Sequence, residues 1–330
     1  MSEELEKAGI KSVPIGKSFV GFCVLRNKEL RYKQSGEPYL ILELGDRSGR
    51  LKARIWEKPL EYEQAYQAGN IIKIKAVVQA FQDKKELKIQ KIRLATAEDE
   101  VELKDLLPAS PKDLQQLKQK LHEHINSIEN PYLKKLLSGL FDVKEFEEAF
   151  YLSPAGKLWH HNYLSGLIEH VVTMLDIGQL LKTHYPLLDL ELLKCGIICH
   201  NIGKVKEYSL DGFIDFSDQG RLIGYNAMGF EMASRQIAVI EGFPAELRDR
   251  LVHLILSHQN ESRENDGVVP MTLEAVVLRC LILLDANTNA LCRIQENDAL
   301  PGSKWTKYIP LLDRFIYVGG KLQEKKGRDN

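Results

Sequence analysis

Four side chains able to hold a metal fall on four separate helical patterns. His170 lies inside the amphipathic run Leu164, Leu167, Ile168, Val171 and Leu175. His200 closes the apolar stretch that ends in Cys195-Gly196-Ile197-Ile198-Cys199, just before a Gly203 able to stop a helix. His258 extends the face of Leu247, Leu251, Leu254 and Ile255 by one helical step, and Asp285 shares a face with Val277 and Leu281. A lone His on such a face is more often a hydrogen-bonded core residue. A buried Asp, however, needs a paired charge or a metal. Four such groups on four helices describe an imidazole and carboxylate pocket in a helical bundle, suited to Mn, Fe, Zn or a similar ion.

The elements that must position these groups divide the chain. At 330 residues and 44% hydrophobic content, two domains with sizeable cores are expected. From Lys17 to Leu94 the runs are short and β-rich: Ser18 to Leu25, Tyr39 to Leu44, Leu51 to Trp56, Ile71 to Val78 and Leu87 to Leu94, with a helical insert at Glu61 to Ala68. This pattern predicts a small five-stranded barrel over residues 1–97, with a tight turn at Arg47-Ser48-Gly49-Arg50 and a loop at Gln82-Asp83-Lys84-Lys85. Residues 98–113 are acidic and contain proline, as a linker would, and residues 114–330 read as helical, with Leu273, Val276, Val277, Cys280, Leu281 and Leu284 recurring at helical spacing along the last apolar face. The fold class is thus α+β multidomain.

Charge is distributed unevenly. Residues 1–97 hold 19 Lys and Arg against 12 Asp and Glu, and the remainder 26 against 34, so a net charge of −1 hides a basic first third. Barrels of this size bind oligonucleotides on the face of strands two and three. Tyr39, Trp56 and Phe81 offer stacking rings, and Arg47, Arg50, Lys52, Arg54, Lys84, Lys85 and Lys88 offer phosphate neutralisation. The competing reading makes Trp56 a core residue and the lysines solvated strand edges; spacing alone leaves both open.

Five cysteines, mostly in apolar runs, behave as small buried hydrophobes and fit a reducing cytoplasm. Cys195 and Cys199, four apart with no second pair nearby, read as core rather than metal ligands. The Met-Ser-Glu-Glu-Leu-Glu-Lys start has no signal-peptide character and no window approaches a membrane span, so a soluble cytoplasmic protein with no membrane partner is expected.

At this point the motifs carry a resemblance. His170, His200 and Asp285 fall where the HD phosphohydrolase superfamily has its first His, its His-Asp pair and its final Asp. The runs His160-His161-Asn162-Tyr163, Gly166-Leu167-Ile168-Glu169-His170, His200-Asn201-Ile202-Gly203-Lys204-Val205-Lys206-Glu207-Tyr208, Leu254-Ile255-Leu256-Ser257-His258 and Pro270-Met271-Thr272-Leu273-Glu274-Ala275 resemble the YhaM-type 3'-5' exoribonucleases. The resemblance implies an N-terminal OB-fold, an all-helical HD domain, and 3'-end hydrolysis of single-stranded RNA, with DNA as a second substrate. It also implies a divalent cation, Mn²⁺ first and Mg²⁺ next, and self-association, to which Arg314-Phe315-Ile316-Tyr317-Val318 would lend an apolar contact.

Three positions depart from the family pattern. The residue after the second His is Asn201 rather than Asp, and expected histidines are replaced by Tyr225 and Gln259. An amide can neither offset the charge of two cations nor readily bridge them, so the two-metal clamp is incomplete. An engineered Asp-to-Asn change explains Asn201 alone. Natural decay to a pseudoenzyme explains all three. A retained single-metal hydrolase is the third account: His170, His200 and Asp285 hold one ion beside Asn201, His258 contacts phosphate and Lys204 offers charge to the transition state. Against all of these stands a metal-free core in which Asn201 satisfies the neighbouring imidazoles.

Overall fold

Closure of the barrel is set by its first strand. The computed structural model describes residues 9–81, 84–210, 212–259, 268–300 and 302–319. Strand β1 (Ser18–Tyr32) pairs antiparallel with β4 (Ile71–Phe81) from Ser18 to Val24, then with β2 (Pro38–Asp46) from Val24 to Tyr32, with a bulge between Leu25 and Asn27. It therefore runs seven residues past the Leu25 at which its apolar run ends, because backbone pairing rather than burial carries its second half. With β3 (Gly49–Ile55) and β5 (Lys84–Leu94) the order is β1-β2-β3-β5-β4, closed by a parallel β3–β5 pairing. Inward residues Phe19, Cys23, Leu40, Leu42, Ile72, Ile74 and Leu87 fill the interior. Helix α1 (Pro59–Ala65) ends three residues before the expected Ala68.

The β2–β3 turn is held by Asp46, whose carboxylate accepts from the Ser48 backbone N–H (2.8 Å), the Ser48 hydroxyl (2.6 Å) and the Ile10 N–H (2.7 Å). Of the expected loop at 82–85, Gln82 and Asp83 lie outside the described residues; Lys84 and Lys85 open β5.

The acidic stretch 98–113 is not a free linker. It carries a helical turn at Leu103–Leu106, and Leu106 and Leu107 are fully buried, so residues through Pro111 group with the barrel. Two adjacent leucines outweigh the acidic composition because their burial removes apolar surface from water. Tyr208–Ser217, with its two-residue strands Tyr208–Ser209 and Asp215–Phe216, groups with the same unit.

The second unit is built from α2 (Leu114–Asn126), α3 (Pro131–Phe141), α4 (Lys144–Leu152), α5 (Gly166–His184), α6 (Leu190–Cys199), α7 (Tyr225–Ala238), α8 (Ala245–Ser257) and α9 (Leu273–Asp298). Asp189 caps α6 by accepting from Leu192 N–H, and Thr272 caps α9 by accepting from Ala275 N–H. Every residue of α6 from Leu192 to Cys199 is buried, which makes it the central helix; its Lys194 reaches out to donate to the Ser127 hydroxyl at 2.8 Å. Cys195 and Cys199 are core, as their spacing suggested, while Cys280 and Cys292 are exposed.

Helix α9 is turned from the expected face. Its buried side is Glu274, Ala275, Leu278, Leu281, Asp285, Ala286, Ala290 and Ile294, and Leu273, Val276, Cys280 and Leu284 are exposed. Polar anchors decide this: Glu274 accepts from Asp189 N–H and pairs with Arg250, and Asp285 pairs with His170. Contrary to the expectation that no window approaches a membrane span, this helix is by length and composition apolar enough to cross a membrane. Beyond it the described residues are not helical, and isolated β-bridges join Ala299 to Thr306, Trp305 to Tyr317 and Ile309 to Arg314.

Two glycines permit the close approaches on which the site depends. A Cβ at Gly166 would stand 2.1 Å from His161 O, and one at Gly203 would stand 2.0 Å from Tyr225 O. Gly203→Ala should therefore push α7 away and destabilise the helical unit by about 1–3 kcal/mol, the usual cost of overpacking. Urea unfolding followed by far-UV circular dichroism reads that loss.

Candidate functional site

His170 on α5 and Asp285 on α9 meet at 2.5 Å between Nδ1 and Oδ2. The carboxylate accepts, so Nδ1 carries a proton, and in the neutral ring the lone pair is on Nε2; that Nε2 is buried and has no partner. His200, the C-cap of α6, is oriented in the same sense, its Nδ1 donating to Ile197 O at 2.7 Å and leaving a buried, unpartnered Nε2. Next to it the Asn201 side-chain oxygen is also buried and without a partner. The amide thus does not satisfy the imidazoles, as a metal-free polar core would require. The buried lone-pair donors of His170 and His200, on rings 5.5 Å apart, with Asn201 beside them suit a divalent cation; Asp285, expected as a third ligand, instead takes the Nδ1 side of His170 and holds that ring in the ligand-ready tautomer.

The sequence pattern assigns no role to His160 and His161, yet the fold brings both to this place. Ligand atoms of His160, His161 and His170 all lie within 4.8 Å of one another. The ring centroids continue from His170 to His200 at 5.5 Å and from His200 to His258 at 5.1 Å. His161 takes a left-handed backbone conformation, its N–H donating to the Asn289 side chain at 2.9 Å, and Tyr163 donates to Glu169 at 2.9 Å. Two consecutive histidines shortly before the His170 helix were the available signal.

A cavity of about 350 Å³ is lined by His160, His200, Asn201, Lys204, Tyr225 and His258 among others. Lys204 is buried there, donating to Ala155 O at 2.6 Å, 3.8 Å from Glu207 and 4.2 Å above the Tyr225 ring. Burial lowers its pKa to about 8 against the opposing pull of Glu207. His258 donates from Nδ1 to Ile255 O at 2.8 Å, and its Nε2 receives the Tyr225 hydroxyl at 3.1 Å. The Gln259 amide in turn donates to that hydroxyl, and Asn226 donates to Gln259 at 3.4 Å. The two residues standing where histidines were expected are therefore joined in one neutral network, and His258, its Nδ1–H given to Ile255 O and its Nε2 accepting from Tyr225, has no N–H free to donate to a phosphate oxygen.

On the barrel, Tyr39 and Trp56 stack on each other at 4.7 Å, with Lys33 over the indole at 5.1 Å; Trp56 is 50% exposed and is not core. The cations beside them are less available than their number suggests. Arg50 pairs with Glu43 at 3.2 Å, and Arg54 pairs with Glu86 at 3.1 Å and covers the Phe81 ring at 3.7 Å. Lys85 donates to Lys11 O and Val13 O. Arg47 stands in the β2–β3 turn, Lys52 lies opposite Glu43 and Glu86, and Lys84 and Lys88 are exposed on β5.

A closed five-stranded barrel in one chain with a helical imidazole and carboxylate pocket defines an OB-fold joined to an HD-type metal site. Family models agree: an OB-fold nucleic acid binding domain matches residues 24–95 and an HD domain matches residues 167–289. The chain is 32% identical over 324 residues to the 3'-5' exoribonuclease YhaM of Oceanobacillus iheyensis, covering 97% of this chain and 100% of that protein. It is 32% identical to the YhaM of Shouchella clausii and 29% to that of Bacillus subtilis, each over 94% of this chain and 96% and 97% of the relative. The chain belongs to the YhaM family of 3'-5' exoribonucleases, a nuclease-like, nucleic-acid-binding family whose HD domain implies a divalent metal.

Burial holds His160, His161, His200 and His258 neutral. Desolvation, reinforced by neighbouring imidazoles, lowers His160 to about 2 and His161 to about 3 and places His200 well below the usual range; desolvation also lowers His258 to about 4. In the unfolded chain these groups return to roughly 6.5, so the unfolded state binds more protons as pH falls below that value. The thermal midpoint of the helical unit should therefore drop between about pH 7 and pH 5, the contribution of His258 levelling off below about 4 where the folded residue also protonates. Melting curves that are flat across that window would contradict neutral buried imidazoles.

Proposed function

We propose that this chain is a 3'-5' exonuclease of single-stranded RNA that works with one divalent cation and turns over more slowly than a two-cation site would allow. The buried, unpartnered His170 Nε2, His200 Nε2 and Asn201 Oδ1 carry this reading. Those atoms would hold the ion, with Asp285 on the far, Nδ1 side of the His170 ring orienting it. A bound divalent cation supplies Lewis acidity to the scissile phosphate. Asn201 brings no negative charge and Tyr225 and Gln259 bring no further imidazole, so the donor set suits one ion better than two.

The remaining work falls to side chains of this chain. Lys204, with its pKa near 8, is charged in most molecules at neutral pH and stands in the cavity wall, where it offsets charge gathering on the phosphate. Tyr225 fixes the His258 ring by its hydroxyl. The barrel holds the strand upstream of its 3' end through Tyr39 and Trp56, and nucleoside 5'-monophosphates are released.

The closed network of Tyr225, His258, Gln259 and Asn226 favours a second reading, a binder that does not turn over. Labelled single-stranded RNA incubated with Mn²⁺ separates the two. Slow shortening from the 3' end, reduced at least about 10–100-fold in Asp285→Ala, supports the enzyme. Faster shortening in Asn201→Asp assigns the slow rate to the missing carboxylate, whereas protection without shortening in the wild type supports the binder.

A further inference from the structure

The β4–β5 side of the barrel carries like charges placed directly opposite each other. In the antiparallel register Lys73 faces Arg93 and Lys75 faces Lys91. Facing pairs have Cβ atoms roughly 5 Å apart, and like charges there destabilise a sheet. The first pair is relieved by Asp99, which receives Arg93 through both terminal nitrogens at 2.6 and 2.7 Å and lies 3.7 Å from Lys73. The second pair, Lys75 and Lys91, has no carboxylate partner among the described residues. A register shift between Lys75 and Ala76 leaves Gln90 as the extra residue on β5, and Lys75, Gln90 and Lys91 line a groove of about 510 Å³ with Tyr62.

The contrast with the β2–β3 face gives this groove its meaning. Arg50 and Arg54 have carboxylate partners and Lys85 is spent on backbone carbonyls, so a phosphate arriving at any of these three must displace or share an existing contact. At Lys75 and Lys91 an anion removes an existing repulsion and displaces no carboxylate. The two faces are joined, because β5 pairs with β3 on one side and β4 on the other, with exposed Lys88 opposite both Arg54 and Val77.

We infer that the β4–β5 groove is a second phosphate track, on which Lys75 and Lys91 hold the backbone of the single strand that also contacts Tyr39 and Trp56. The inference rests on the proposal that the barrel holds single-stranded nucleic acid. It assigns the groove to a phosphodiester chain, with Gln90 as a neutral donor to its oxygens.

Anisotropy of a fluorescein-labelled, cleavage-resistant phosphorothioate oligoribonucleotide, titrated with the full chain over a KCl series, tests it. Lys75→Gln/Lys91→Gln should bind several-fold more weakly at low salt, and the slope of log K against log salt should be shallower by about 1.4, two contacts at roughly 0.7 each. Its thermal midpoint should be unchanged or higher, since a repulsion is removed. Unchanged affinity and slope, with binding lost in Tyr39→Ala/Trp56→Ala, would overturn the second track and leave the proposed function standing. A lower midpoint with an unchanged slope would make the lysines structural and also overturn it. No binding by the wild-type chain at any salt would overturn both.

Discussion

The contact between His170 and Asp285 is the constraint on which the helical unit depends. A carboxylate cannot be placed on the buried face of a helix without a partner, and here the partner is an imidazole 115 residues away at 2.5 Å. Meeting that need turns α9 so that Asp285 and Glu274 point inward and several of its aliphatic side chains point to solvent. The same contact settles the imidazole tautomer. With the proton drawn to Nδ1, the other nitrogen is free to act as a ligand, and a structural requirement becomes a chemical one.

Around that pair the site is short of charge. Burial keeps His160, His161, His200 and His258 neutral, and Asn201 stands where the sequence motif led to the expectation of a carboxylate. Neutral nitrogen and amide donors can surround a dication but do little to balance two of them. Tyr225 and Gln259 act in the same sense, because their hydrogen bonds occupy His258 and leave a neutral wall. The three departures therefore read as one adjustment of the pocket rather than three independent defects.

The barrel follows a similar logic from the opposite sign. Its positive charge is in excess, yet much of it near the stacking pair Tyr39 and Trp56 is already engaged by Glu43 and Glu86. Net charge counted along the sequence measures the attraction a polyanion feels at a distance. Which cations remain available at contact depends on cross-strand neighbours, and only the register reveals those.

The sequence by itself determined the five-strand pattern with its helical insert, the helical second half, the cysteine core of α6 and the identities of His170, His200 and Asp285 as members of one site. Those features are local: alternation, helical spacing and cap residues act over a few positions. Tertiary structure decided what depends on partners far away in the chain. It extended β1 through polar residues because two different strands pair with it, folded the acidic stretch onto the barrel through Leu106 and Leu107, and rotated α9 about its buried carboxylates. It also brought His160 and His161 beside His170 and left Asn201 Oδ1 without a partner. A hydrogen bond or its absence is a property of two positions in space, and spacing along one chain specifies only the first of them.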